Sequence, residues 1–224
     1  TLVEVAEHPD RVQLPSRLPM LLTAVQLRLH GAVALVSGRR LDDVDRWLKP
    51  FRFAGAGLHG LELRRMPDAH LEHFGPHVDN DVRFEVRRAV AGIDGVWVED
   101  KGRSIAIHYR AAPIVEQQCI AVAVVLAERF GLRIVRGKMV VELKVPGADK
   151  GTALEALMRV APFTSRRPVF VGDDVTDEDG FAAATRLGGF GVRIGDGPTH
   201  AQVRLPSVDA ALGWLERGVL VSAE

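Results

Sequence analysis

Cysteine is nearly missing from this sequence: Cys119 stands alone, so no internal disulfide can form. It falls in an apolar helical pattern and reads as a core thiol. No apolar run is long enough to span a bilayer and no signal peptide is visible, so neither a membrane partner nor export is expected. An excess of one charge is lacking too. The 29 basic and 29 acidic residues cancel, and no dense Lys/Arg stripe breaks the balance, which argues against nucleic acid as a partner. Aromatics are few at 6%, but hydrophobic residues reach 47%, enough for an α/β chain with a sizeable core. At 224 residues the expectation is one large domain, or a core with a smaller inserted unit, in the cytoplasm. The chain starts at Thr1 rather than at methionine, so its amino terminus is expected to be incomplete.

What the sequence has in abundance is acid at one place. Pro168-Val169-Phe170-Val171 reads as a buried strand, and Gly180-Phe181-Ala182-Ala183-Ala184 as a helix. Between them, Asp173, Asp174, Asp177, Glu178 and Asp179 crowd the turn. In an open parallel sheet, that turn is where ligands bind. Clustered carboxylates repel unless a cation sits among them, and oxygen ligands of this kind suit Mg²⁺. A plain helix start, with Thr176 as N-cap and the later acids favoured by the dipole, explains only the last three.

The flanks repeat this grammar. Thr1-Leu2-Val3-Glu4-Val5 reads as the tail of an element, and His8-Pro9-Asp10 as a loop. Leu18, Leu21, Leu22, Val25 and Leu29 mark a helix over 17–30. Ala32 to Val36 is a continuous apolar run, as in a strand covered on both sides. It breaks at Ser37-Gly38-Arg39, before a helix marked by Leu41, Val44 and Leu48. A hydroxyl followed by glycine at a strand's carboxyl end can hold a phosphate oxygen. Arg39 reads as a ligand or as a surface charge. Phe53 to Gly60 is a short, Gly-rich strand with a tight exit; His59 there could approach a ligand, though a turn histidine is the plainer reading. Lys150 opens a helix, where a lysine opposes the macrodipole but suits a bound anion. A strand at 191–194 and a last helix carrying Val208, Leu212 and Leu215 complete the α/β pattern.

The middle differs. His70, His73 and His77 lack completing ligands and read as solvated. Hairpins at 96–110 and 132–144 surround a helix opened by Pro113, which implies an antiparallel α+β unit. Glu99 and Lys101 share a sheet face, and Glu142 lies on the polar face of its own strand. Such a trio could grip sugar hydroxyls, which need donors and acceptors. On period alone an ordinary solvent-facing surface is favoured.

Thr1-Leu2, Ser37-Gly38-Arg39, Lys150-Gly151 and Gly172-Asp173-Asp174-Val175-Thr176-Asp177-Glu178 resemble, in order, the motifs of haloacid-dehalogenase-superfamily phosphatases. Gly57 to Glu62, Glu99-Asp100-Lys101, His108-Tyr109-Arg110 and Leu205 to Val208 narrow the resemblance to the trehalose-6-phosphate phosphatases. The resemblance implies a doubly wound parallel core from 1–60 and 146–224, with an inserted α+β cap from 61–145 that selects the substrate. It implies Mg²⁺ on Asp173 and Asp174, with Asp177 supporting the metal site and Lys150. It places Ser37 and Lys150 on the phosphoryl group, beside Gly38, Arg39 and His59 as substrate-binding candidates. It makes Glu99, Lys101 and Glu142 the sugar grip. The substrate class is a small sugar phosphate, and a functional link to trehalose-6-phosphate synthase is expected.

One departure matters. The family's first motif, Asp-x-Asp-Gly-Thr, would end at Thr1. Its aspartates, the nucleophile and the general acid/base, are expected just upstream, and the chain as it stands is expected to be nearly inactive. Beside this reading stand a phosphatase for another sugar phosphate and a non-catalytic sugar-phosphate-binding domain.

Overall fold

The computed structural model describes residues 1–3 and 14–220; Glu4, Val5 and the loop read at His8-Pro9-Asp10 lie outside them. The chain forms two compact units: Thr1–Glu72 with Asp149–Glu224, and His73–Ala148. Among the described residues no helix is long and apolar enough to cross a membrane.

In the first unit α1 (Leu18–Arg28) precedes β1 (Ala34–Val36), α2 (Leu41–Leu48) and β2 (Ala54–Gly57). β1 and β2 pair in parallel, with α2 in the connection between them. After a 3₁₀ turn, β3 (Glu62–Arg64) pairs antiparallel with β2, and β4 (Glu72–His73) follows at the sheet edge. That pairing ties residues 62–64 to the first unit, so the second begins at His73, whereas the sequence reading opened the insertion at 61.

Helices cover both faces of these strands. Ala54 and Ala56 of β2 pack with Ala153 and Leu157, while Phe53 packs with Leu18, Leu22 and Leu212. Alternation along the strand explains the split. The two alanines lie under α5 (Lys150–Met158), and Phe53 lies under α1 and α7 (Val208–Leu220). The return of the chain after α5 adds β9 (Val169–Gly172), α6 (Glu178–Arg186), β10 (Phe190–Ile194) and β11 (Val203–Leu205). These three strands form a second parallel sheet in the order β11-β10-β9. The architecture is α/β with parallel sheets, matching the fold class read from the sequence. An apolar cavity of about 720 Å³ is lined by both β1 and β9.

The second unit holds α3 (Asn80–Val90), β5 (Trp97–Asp100), β6 (Ser104–His108), α4 (Glu116–Phe130), β7 (Arg133–Gly137) and β8 (Val140–Lys144). Its antiparallel sheet runs β5-β6-β8-β7. Ile105, Ile107, Val141 and Leu143 are at most 1% exposed on the face against which α3 and α4 pack. Glu99, Ala106 and Glu142 form one cross-strand row on the opposite face.

One local device sets the entry to α2. Arg40, its N-cap, makes no side-chain capping bond. Instead the Leu41 N–H donates to Oε2 of buried Glu62 at 2.9 Å. Gly57 makes room for it: a Cβ there would lie 2.4 Å from that oxygen and 2.9 Å from both Arg39 O and Leu41 N. Two of these neighbours are backbone and cannot swing away. Gly57→Ala is therefore expected to cost about 1–3 kcal/mol, read as a lowered urea midpoint at unchanged slope.

Candidate active site

The acidic turn follows β9. Its five carboxylates do not form one cluster. Asp177 is 2% exposed and turned inward, where Oδ2 accepts from the N–H groups of Asp173 (3.0 Å) and Asp174 (2.9 Å). Its Oδ1 accepts from Lys150 Nζ at 2.7 Å. Gly172 permits the fold-back, since a Cβ there would sit 2.3 Å from the Asp177 Cβ. Glu178 turns to the His200 N–H at 2.8 Å and stands 3.6 Å from Arg193. Asp179 is exposed. Only Asp173 and Asp174 remain side by side at the strand's end.

Thr176, expected as the N-cap, is not the cap. A 3₁₀ turn at Val175–Asp177 precedes α6 and moves the capping role to Asp174, whose Oδ1 accepts from the Val175 N–H at 2.7 Å.

Lys150 begins α5 behind the N-cap Asp149, which forms a capping box with Thr152. At 6% exposure its ammonium is buried against Asp177, so the carboxylate offsets the unfavourable helix dipole. Asp173 is half-buried. Its carboxylate accepts from the Thr1 hydroxyl and lies 2.8 Å from the Thr1 nitrogen.

Ser37 ends β1. Its N–H donates to Ala56 O at 2.8 Å, and its Oγ accepts from the Arg39 N–H at 3.1 Å. The His59 N–H donates to Ser37 O at 3.0 Å, and the Leu58 N–H to Arg39 O at 2.9 Å, zipping this loop to the 58–60 turn. The His59 ring fills the place a Gly38 side chain would take, 2.5 Å from its built Cβ. His59 is 9% exposed and holds φ +54, a left-handed conformation unusual for a histidine. Gly60 in turn comes close to Asp149, whose carbonyl would be 2.5 Å from a Cβ. One run of contacts thus joins Ser37, Gly38, His59, Asp149, Lys150, Asp177 and Asp173. Segments far apart in sequence meet at the carboxyl ends of β1 and β9. The Arg39 guanidinium stands over Trp47, 4.7 Å from the ring centroid.

In the second unit, Lys101 Nζ donates to Glu142 Oε2 at 2.6 Å, and Glu142 is 4% exposed. The solvent-facing surface favoured on period alone is thus not what Glu142 occupies. Glu99 Oε2 lies 2.9 Å from His108 Nε2. Burial alone would raise the Glu99 carboxyl; the His108 bond and the Lys101 charge outweigh that, against the opposing influence of Glu142, and lower it. A carboxyl lowered by folding takes up its proton less readily folded than unfolded. Its contribution is therefore full above the unfolded value near about pH 4.3 and is lost as pH falls through the folded value. Acid melting is expected to shift to lower temperature below about pH 4, and Glu99→Gln to flatten part of that slope in a thermal-melt series.

Among the described residues no group of three or more His, Cys, Asp or Glu side chains is gathered to hold a metal. Asp173 and Asp174 offer two carboxylates on one pinned loop. Mg²⁺ commonly takes one or two carboxylates and completes its shell with water and phosphate oxygens, so this donor set fits it.

Three side chains of this geometry were not singled out from the sequence. Glu62 was noted only inside a landmark. His108 was noted only as a hairpin residue and inside another landmark. Arg193, which donates to the carbonyls of Asp174 (3.0 Å) and Asp196 (3.2 Å), read as a plain strand residue. Their partners are distant in sequence or are carbonyls, which no residue pattern marks.

The family model described as trehalose-phosphatase matches residues 1–208. The chain belongs to the trehalose-phosphatase family. A trehalose-6-phosphate phosphatase from Escherichia coli K12 is 40% identical over 218 residues, covering 96% of this chain and 82% of that protein. A probable trehalose-phosphate phosphatase from Sinorhizobium fredii is 41% identical over 214 residues, covering 94% and 80%. In fold, the chain matches a C. albicans trehalose-6-phosphate phosphatase C-terminal domain at TM-score 0.86 and 17% identity, over 98% of this chain and 88% of that one. Trehalose-phosphatase family membership makes this protein a phosphatase.

Proposed function

We propose that this protein hydrolyses trehalose 6-phosphate to trehalose and phosphate in the cytoplasm, with Mg²⁺ and through an aspartyl-phosphate. The observation that carries the reading is the meeting of Lys150, Asp177 and Asp173 beside the Ser37 loop. The Lys150 ammonium and the amino end of α5 oppose the phosphoryl charge, and Ser37 and Gly38 supply donors at the same strand ends. Arg39 and His59 would complete the substrate-binding set. Asp177 touches no substrate; it sets Lys150 and the backbone of Asp173 and Asp174. Those two carboxylates would hold Mg²⁺, which supplies a Lewis acid toward a phosphoryl oxygen.

A carboxylate oxygen attacks phosphorus, the bond from phosphorus to the sugar oxygen breaks, and a neighbouring acid protonates the leaving sugar. Water then cleaves the acyl phosphate. The family resemblance puts both aspartates just ahead of Thr1.

The second unit, residues 73–148, serves as the cap, with Glu99, Lys101 and Glu142 recognising the sugar. The test compares trehalose 6-phosphate, glucose 6-phosphate and p-nitrophenyl phosphate on the whole gene product, with Mg²⁺ and with EDTA. Trehalose 6-phosphate is expected to be preferred by about 100-fold or more and EDTA to stop turnover. Glu142→Gln is expected to lose about 10-fold in kcat/KM on the disaccharide alone. Equal rates on all three esters would remove the assignment.

A further inference from the structure

We infer that His108, held flat against Trp97, is the positioning residue that aims Glu99 at the sugar. This deepens the proposed function and rests on it. In the β5–β6 ladder Trp97 pairs directly with His108 and Glu99 with Ala106, so Glu99 is His108's diagonal neighbour on the same face. A diagonal of that kind lies within reach of a long side chain. The Trp97 and His108 rings stack with centroids 3.9 Å apart and planes 4° apart. The stack fixes the imidazole plane and points Nε2 along the ladder toward Glu99 Oε2, 2.9 Å away. An ionised carboxylate only accepts, so Nε2 carries the proton and donates. The bond engages Oε2 and leaves Oε1 for a sugar hydroxyl, on the cross-strand row that Glu99 shares with Glu142. His108 is 19% exposed along its side chain, with one ring face covered and Nε2 engaged. It therefore acts through Glu99 rather than on the substrate.

A histidine that merely braced the sheet would lower stability and hurt every ester alike. A positioning histidine splits the kinetic constants and the substrates. The test uses the whole gene product with trehalose 6-phosphate and p-nitrophenyl phosphate, and thermal melts to confirm folding. His108→Ala is expected to raise KM for the disaccharide ester by about 10-fold, with kcat within about 2-fold and the aryl ester unchanged. His108→Gln, whose amide can donate to the same oxygen, is expected to recover most of that loss. Trp97→Ala, which leaves the imidazole in place without its stack, is expected to raise KM by a smaller factor, and it carries the test if His108→Ala does not fold. A folded His108→Ala with wild-type KM, equal losses on both esters, or wild-type KM in Trp97→Ala would overturn the inference. A wild-type enzyme that does not prefer the disaccharide ester would instead overturn the proposed function beneath it.

Discussion

Lys150→Met is expected to cut turnover of the sugar phosphate by about 1000-fold and to cost about 3–5 kcal/mol of stability. The two losses have separate causes. On the proposed function, catalysis loses the charge that would oppose the phosphoryl oxygens as they transfer. Stability falls because Asp177, 2% exposed, keeps its charge and its two backbone donors but loses its ammonium partner at 2.7 Å. An unpaired buried carboxylate is far more costly than the pair was favourable. The double variant Lys150→Met with Asp177→Asn separates the causes. An asparagine oxygen can still accept from the N–H groups of Asp173 and Asp174, without a stranded charge. Urea unfolding is expected to return close to wild type in the double variant while kcat stays lost. Recovery of activity along with stability would show that Lys150 serves the fold alone.

Asp173→Asn is the complementary case. Turnover is expected to fall by about 1000-fold, with stability within about 0.5 kcal/mol of wild type. The Asp173 side chain is 35% exposed, and its loop is held by its own backbone N–H on Asp177, not by its carboxylate. An amide keeps the shape but removes a charge that the proposed Mg²⁺ site would use. A titration of rate against Mg²⁺ concentration checks this: the variant is expected to need much higher metal, or to stay inactive throughout. A wild-type rate at wild-type metal demand would move the metal to other residues.

Legibility was uneven for physical reasons. Apolar runs and breaks marked the strands at 34–36 and 169–172 because a parallel strand flanked by helices carries apolar residues on both faces, although Val169 itself is exposed. The hairpins at 97–108 and 133–144 were legible because alternation reports one covered face. β3 was missed: three residues, with the buried charges of Glu62 and Arg64, look nothing like a strand. Arg64 is tolerated there because Asp45, far along the chain, meets it at 2.5 Å. The acidic turn read as one cluster of five, since sequence counts charges without saying where they point.

Local order along the chain decided the fold class, the two turns at strand ends and the residue types available to each, because strand burial and turn chemistry act over a few neighbours. Tertiary structure alone decided that Asp177 turns inward to Lys150 while Asp173 does not, that His59 fills the space beside Gly38, and that Glu62 caps a helix 21 residues away. Each is a contact between distant segments, and its energy depends on burial that only the folded chain creates.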